Sequence, residues 1–212
     1  MKVIVLNPNT STAMTTAVVE RMRARMPAGI EILGCTAQHG PAVIASRETF
    51  DEGARSGVAL AAECRGQADA IVLACFGDPG IDSIQALCPV PVIGLAQASI
   101  RRAASMQVPW AIVTAGAAWC EMLRERVQSM GATRHFVDVF TIEGTGLDAM
   151  RDPALGRTRL HSAVCKARQA GAGSIILGGA ALAGMAEAMA ESEATLLDCV
   201  DCAADAAIAA LD

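Results

Sequence analysis

The chain alternates short apolar runs with longer segments in which apolar residues recur at helical spacing. Unbroken apolar runs of roughly four to eight residues are typical of strands buried on both faces of a parallel sheet. The strand at 70–74 is apolar throughout, and further strands are predicted at 2–6, 30–33, 90–93, 110–113, 135–140, 174–177 and 195–197. Helical spacing predicts helices over 12–26, 48–65, 95–106, 117–129, 153–169, 185–190 and 198–211, with a loop over 144–152. This order predicts an α/β protein with parallel sheets and right-handed crossovers.

The two halves of the chain resemble each other in the order and spacing of their polar strand ends. In the first half, Asn9 follows one predicted strand and Cys75 follows another, 66 residues later. In the second half, Thr114 and Gly179 follow the corresponding strands, 65 residues apart. We therefore expect two pseudo-symmetric lobes, each a parallel sheet flanked by helices, with the active site in the cleft between them. Residues 1–97, completed by a C-terminal helix over 198–212, form the first predicted lobe, and residues 98–197 form the second.

The composition argues against nucleic-acid and membrane partners. The net charge is −5 and the 17 basic residues are scattered, whereas phosphate backbones are bound by clustered cations. Aromatic residues make up 3% of the chain, too few for stacking on single-stranded nucleic acid. No apolar run approaches the roughly 18–20 residues of a membrane helix, and the first strand is too short for a secretory signal. We therefore expect a cytoplasmic protein.

Candidate chemistry lies where the predicted strands end, because ligands of parallel sheets bind past the carboxyl ends of the strands. Cys75 follows a buried strand and precedes a predicted helix, whose N-terminus would lower the pKa of its thiol. A buried, unreactive cysteine is the alternative. Asn9, Thr10 and Ser11 offer an amide and two hydroxyls for a ligand, and helix capping is their alternative role.

Metal and nucleotide sites are not indicated by the sequence. Cys199 and Cys202 form a Cys-x-x-Cys pair at the start of the last predicted helix, without a second pair to complete a ligand set. The three histidines are widely spaced, and no glycine-rich nucleotide motif is present. We therefore predict no metal and no cofactor.

Several segments, in order along nearly the whole chain, resemble hydantoin and allantoin racemases of the aspartate/glutamate racemase superfamily. They include Val-Leu-Asn-Pro-Asn-Thr-Ser at 5–11, Ala-Cys-Phe-Gly-Asp-Pro-Gly at 74–80, Pro-Val-Ile-Gly at 91–94 and Ile-Leu-Gly at 176–178. The resemblance implies a two-lobed fold and a cofactor-independent reaction. In that reaction one thiolate removes the proton beside a carbonyl, and a thiol of the other lobe returns a proton on the opposite face.

The same resemblance implies roles for individual residues. Cys75 matches the first catalytic cysteine, and Asn9, Ser11 and Thr114 match positions around the substrate. We also expect Thr10, Phe76, Gly179 and Ala180 to contact the substrate, a small molecule that carries a carbonyl or carboxylate group. Family members commonly assemble as oligomers, so a homo-oligomer is expected.

Gly179 stands where the family has its second cysteine, and this departure leaves several activities open. A racemase would need its second proton from elsewhere, either from Cys199 or from an ordered water beside Gly179. A single thiol also suits a decarboxylase of the arylmalonate type or a cis-trans isomerase. A binding protein that has lost turnover is a further alternative. We favour racemase-type chemistry on a hydantoin-like ring or a small amino-acid derivative, with Cys75 as the acid/base.

Overall fold

The computed structural model describes residues 1–189 and 193–211, which form eight strands and eight α-helices. The strands are β1 (Lys2–Asn7), β2 (Glu31–Thr36), β3 (Ala70–Leu73), β4 (Val92–Gly94), β5 (Trp110–Ala115), β6 (Phe136–Ile142), β7 (Ser174–Gly178) and β8 (Thr195–Asp198). The helices are α1 (Thr12–Arg25), α2 (Arg47–Glu63), α3 (Ile81–Leu87), α4 (Leu95–Ser105), α5 (Trp119–Ser129), α6 (Gly146–Arg151), α7 (Pro153–Gln169) and α8 (Cys199–Leu211).

The strands form two parallel four-stranded sheets of identical topology. The first sheet has the order β2-β1-β3-β4 and the second has the order β6-β5-β7-β8. Every neighbouring pair is parallel. Each half of the chain therefore repeats one arrangement, and the predicted α/β fold with two pseudo-symmetric lobes is confirmed.

Both faces of each sheet are buried, which explains why the strands are apolar at successive positions. Along β1, Val3 and Val5 face a large core that is shared with the second sheet, whereas Ile4 and Leu6 face a separate core under α2 and α3. In β5, Trp110 belongs to the shared core and its neighbour Ala111 to a third core under α7. Helices α1, α4, α5 and α8 contribute to the shared core between the sheets. The domain bounds at residues 97 and 197 stay a prediction.

Two segments differ from their predicted structure. The predicted loop 144–152 contains helix α6, which begins with a capping box in which the Thr145 amide donates to Asp148 Oδ2 at 2.8 Å. This reciprocal capping stabilises a helix too short to show a clear apolar period. Of the predicted helix 185–190, the structure shows a short 3₁₀ turn at Glu187–Met189. Residue 190 of that prediction, and residue 212 of the predicted C-terminal helix 198–212, lie outside the described residues.

None of the helices described is both long and apolar enough to cross a membrane.

Candidate active site

A small cavity of about 70 Å³ lies between the two sheets, at the carboxyl ends of their central strands. Residues that follow β1 and β3 line it from one side, and residues that follow β5 and β7 line it from the other. The lining residues are Asn9, Met14, Val43, Ile44, Ala74, Cys75, Phe76, Thr114, Ala115, Trp119, Gly146, Gly178, Gly179, Ala180, Ala181 and Leu182. The cavity thus occupies the position at which parallel sheets bind ligands.

Cys75 lies in the turn that follows β3 and lines the cavity, although only 7% of the residue is exposed. Its amide donates to the carbonyl oxygen of Leu73 at 3.0 Å, and its own carbonyl accepts from the amide of Asp78 at 3.1 Å. These two bonds fix the backbone on both sides of the thiol. The structure therefore presents Cys75 from a rigid turn.

The expectation that a helix N-terminus lowers the pKa of Cys75 is wrong. Helix α3 begins only at Ile81, too far along the chain for its dipole to act on the thiol. Burial raises the pKa of the Cys75 thiol, and the nearby carboxylate of Asp78 raises it further. A raised pKa favours the neutral form of the Cys75 thiol, which can donate a proton, and makes its thiolate a stronger base.

Of the three polar residues after β1, Asn9 alone lines the cavity. Asn9 Oδ1 accepts from the Ser11 amide at 2.9 Å and from Asn7 Nδ2 at 3.0 Å, so its oxygen is fully used. Its Nδ2 lies 3.6 Å from the sulfur of Met14, a weak acceptor, and is available to a ligand. Ser11 caps helix α1 by accepting from the Met14 amide at 3.4 Å. Among the residues described, neither Thr10 nor Ser11 lines the cavity.

The second sheet contributes Thr114, Gly178, Gly179 and Ala180 to the opposite wall. Thr114 Oγ1 donates to the carbonyl of Gly178 at 2.6 Å, which ties the ends of β5 and β7 together. Gly178 allows the ring of Phe76 to approach, since a Cβ there would lie 2.3 Å from a ring carbon. Gly179 has a φ of +137°, and beyond its two chain neighbours no described atom lies within 4 Å of the position that its Cβ would take.

Cys199 lies beside Gly179 but outside the cavity. Its sulfur accepts a hydrogen bond from the Gly179 amide at 3.5 Å, and the residue is fully buried. Burial, with a contribution from Asp198, raises the pKa of its thiol. Cys199 is not among the described residues that line the cavity. In this conformation Cys199 therefore supports the backbone of Gly179 and does not face a ligand.

Four backbone amides at the turns after β3 and β7 have no acceptor among the residues that the structure describes. In the part of the chain that the structure describes, the amides of Phe76, Gly77, Ala180 and Ala181 donate to no protein acceptor. Phe76, Ala180 and Ala181 line the cavity. Unpaired amides at such a site can stabilise the negative charge of an enolate or a carboxylate.

The remaining wall is apolar, and sequence reasoning missed most of it. Trp119 is buried and also lines the cavity. Phe50 packs edge-on against Trp119 with a ring-centroid distance of 6.2 Å, behind the cavity surface. Trp119 begins the helix that follows β5. Its position just after a strand end could have indicated from the sequence that it lies at the cavity. None of the described lining residues is charged or a histidine.

The described residues also contain no group of three or more histidine, cysteine, aspartate or glutamate side chains that could hold a metal ion.

Comparison with known proteins gives the family. Residues 3–207 match the family model described as Asp/Glu/Hydantoin racemase. A hydantoin racemase from Paenarthrobacter aurescens is 31% identical over 197 residues, which cover 90% of this chain and 82% of that protein. The structure of an allantoin racemase from Klebsiella pneumoniae superposes with a TM-score of 0.91 at 29% identity, covering 99% of this chain and 86% of that one.

A more distant structure shares the fold alone. A mutant of arylmalonate decarboxylase superposes with a TM-score of 0.70 at 14% identity, covering 99% of this chain and 92% of that one. The family match spans both lobes and every strand end that lines the cavity. The chain therefore belongs to the Asp/Glu/hydantoin racemase family of racemase-type isomerases.

Proposed function

We propose that this protein exchanges the proton on the carbon beside a carbonyl group of a hydantoin-like ring or a small amino-acid derivative, with Cys75 as the acid/base. The observation that carries the proposal is the position of Cys75. Its thiol is held on a rigid turn in a small cavity, between strand ends of the two sheets. No other titratable side chain lines the described cavity, so proton transfer is assigned to this thiol.

The free amides supply the second requirement of carbon-acid chemistry. Removal of the proton moves negative charge onto the carbonyl oxygen, and amides after either strand end are available to bind that oxygen. A preorganised donor of this kind contributes roughly 2.7–4 kcal/mol to the transition state. The uncharged, largely apolar wall formed by residues such as Phe76 and Trp119 suits a neutral ring with an apolar substituent. Asn9 Nδ2 is the side-chain donor best placed to orient a ring oxygen.

Inversion requires a proton on the face opposite Cys75, where Gly179 offers none. Open space lies on the side of Gly179 where a side chain would project, and a water molecule in that space would serve as the opposite donor. A water is a weaker acid than a positioned thiol, and a positioned acid/base contributes on the order of 10²–10⁴ in rate. We therefore expect proton exchange at the Cys75 face to be faster than inversion.

One observation favours decarboxylation as a second candidate. Burial raises the pKa of Cys75, so the resting thiol is a proton donor, which is the role that a one-thiol decarboxylase needs. In that reaction the bond to the carboxylate breaks, carbon dioxide leaves, and the electron pair forms an enolate. The Cys75 thiol then protonates the carbon, and water restores the thiol. An apolar wall without a cation would favour the loss of a carboxylate charge.

The test measures deuterium uptake at the α-carbon of single hydantoin enantiomers in heavy water, together with chiral analysis and carbon dioxide release from arylmalonates. Cys75→Ala is compared with Cys165→Ala, a half-buried cysteine on α7 outside the cavity. Exchange that is lost in Cys75→Ala and kept in Cys165→Ala supports the proposal. Carbon dioxide release without exchange favours the decarboxylase. Neither activity in the wild type would leave a binding protein as the interpretation.

The cytoplasmic location, the homo-oligomeric state and the identity of the substrate stay predictions.

A further inference from the structure

A buried carboxylate lies three residues after Cys75 and ties its turn to other parts of the fold. The side chain of Asp78 has no exposed surface. Its oxygens accept from the amides of Ala96 at 3.0 Å and Gln97 at 2.7 Å, in the first turn of helix α4. Asp78 also closes the Cys75 turn, because its amide donates to the Cys75 carbonyl at 3.1 Å. The carboxylate thus anchors the turn that carries the thiol.

The fourth partner of Asp78 comes from the other half of the chain. Arg126, on helix α5 after the first strand of the second sheet, donates from Nη2 to Asp78 Oδ2 at 3.3 Å. The arginine side chain is 18% exposed, and its Nε is buried with no hydrogen-bond partner among the described residues. Leaving a buried donor unpaired costs free energy, so the position of this guanidinium is set by its contact with Asp78 and not by a partner for Nε. The pair therefore joins the two lobes at the catalytic turn.

The surrounding backbone is shaped to admit this carboxylate. Asp78 has a φ of +57°, in the left-handed region that a non-glycine residue seldom adopts. A Cβ on Gly94 would lie 2.3 Å from the carboxylate carbon, so only glycine there lets Asp78 approach helix α4. At the residue just before Asp78, a Cβ on Gly77 would collide with the Trp119 ring at 2.5 Å. Helix α5 thus contacts the Cys75 turn twice, through Trp119 and through Arg126.

From this arrangement we propose that Asp78 is a positioning residue for Cys75, held in place across the lobes by Arg126. The inference rests on the proposed role of Cys75 and adds a residue that does not line the cavity. Asp78 acts in two ways. It fixes the position of the turn, and its negative charge faces the thiol. The titratable and charged groups in contact with this carboxylate are Arg126 and, through the turn, Cys75.

The test compares Asp78→Asn with the wild type by two independent measurements. The first is the rate of alkylation of Cys75 by iodoacetamide between pH 6 and 10, read by mass spectrometry of the Cys75 peptide, which needs no turnover. Burial is the larger cause of the raised pKa of Cys75, and removing the Asp78 charge lowers that pKa. Alkylation at pH 8 should therefore be faster than in the wild type, even though a less basic thiolate is less nucleophilic. The second is kcat for α-carbon exchange, expected to fall about tenfold or more at unchanged KM.

Three controls separate positioning from general destabilisation. Arg124→Met removes a neighbouring arginine whose ion pair with Asp138 is exposed, and it should match the wild type in both measurements. Val127→Ala removes buried volume from the same helix, so it lowers Tm without touching the Asp78–Arg126 pair and serves as a comparison for the Tm loss of Asp78→Asn. Arg126→Lys keeps a cation and should restore most of the activity that Arg126→Met loses. If Asp78→Asn does not fold, Arg126→Met replaces it in both measurements. Arg126 lowers the pKa of Asp78, so without this cation Asp78 stays neutral over a wider pH range, as asparagine does.

The proposal is overturned if Asp78→Asn leaves the alkylation profile of Cys75 unchanged. It is also overturned if Val127→Ala, at equal loss of Tm, reproduces both effects. A protein that shows the expected alkylation shift but turns over no hydantoin would contradict the proposed function and leave the positioning role of Asp78 intact.

Discussion

Substitution of Gly179 by cysteine tests whether the missing second thiol limits inversion. The position has room, because apart from its two chain neighbours no atom of the described residues, the sulfur of Cys199 included, lies within 4 Å of the Cβ that would be added. Gly179 lines the same cavity as Cys75 and follows a strand of the other sheet, so a thiol added there would lie at the cavity. A positioned acid/base contributes on the order of 10²–10⁴ in rate, so Gly179→Cys should accelerate racemisation of a hydantoin enantiomer by about that factor.

The same substitution has a calculable cost in stability. Gly179 adopts a φ of +137° and a ψ of 131°, a conformation that residues with a Cβ rarely tolerate. Such strain costs of order 1–3 kcal/mol. For a protein of 150–250 residues, each kcal/mol lowers Tm by roughly 2–4 °C, so Tm should fall by about 2–12 °C. The variant should therefore be measured well below its own unfolding range.

Gly179→Ala is the matched control, because it carries the same backbone strain without a thiol. The assay follows the loss of optical rotation of one hydantoin enantiomer, under reducing conditions, for wild type, Gly179→Ala and Gly179→Cys. We expect Gly179→Ala to be no faster than wild type and Gly179→Cys to exceed both. A folded Gly179→Cys protein that racemises no faster than Gly179→Ala would refute the assignment of this position as the second acid/base.

Three further changes follow from the contacts around the cavity. Gly178→Ala should lower the free energy of unfolding by roughly 1–3 kcal/mol, because the added Cβ would collide with the Phe76 ring. An unchanged Tm in thermal unfolding would contradict this prediction. Burial, opposed by Arg126, raises the pKa of Asp78 to about 6, so the folded state holds this proton more tightly than the unfolded state. The contribution of this proton to stability is present at low pH and is lost as pH rises through about 6. The free energy of unfolding should therefore decline more between pH 4 and 7 in the wild type than in Asp78→Asn. Parallel curves for the two proteins would contradict the raised pKa of Asp78. Thr114→Val removes the hydrogen bond to the Gly178 carbonyl, so its free energy of unfolding in urea should fall by roughly 0.5–1.5 kcal/mol. Thr114→Ser retains the hydroxyl and should be as stable as the wild type. Equal stabilities of the Val and Ser variants would argue against this bond.

The fold was largely predictable because both faces of each sheet are buried. Runs such as 70–74 and 110–113 are apolar without interruption, and only doubly covered strands need that pattern. The near-equal spacing of polar strand ends in the two halves also predicted the duplication that the identical sheet orders display. Helix α6 escaped prediction because its six residues are too few to show an apolar period, and its capping box was not recognised in the loop.

The candidate site was predicted in part. Cys75, Asn9, Phe76, Thr114, Gly179 and Ala180 do line one cavity, because parallel strands bring their carboxyl ends to the same edge of a sheet. Thr10 and Ser11 share the same loop but not the cavity, since the loop turns at Ser11 to begin helix α1. Which members of a polar loop face a ligand depends on backbone direction over two or three residues, and the residue types alone do not reveal it.

Local apolar period and spacing were enough to predict the strands, most of the helices, the duplication and the polar positions at the strand ends. The raised pKa of Cys75, the burial of Cys199 behind Gly179 and the pairing of Asp78 with Arg126 arise from tertiary packing. The physical reason is that desolvation and charge pairing depend on which groups from distant parts of the chain exclude water around a side chain. Such contacts exist only once the two lobes have packed together.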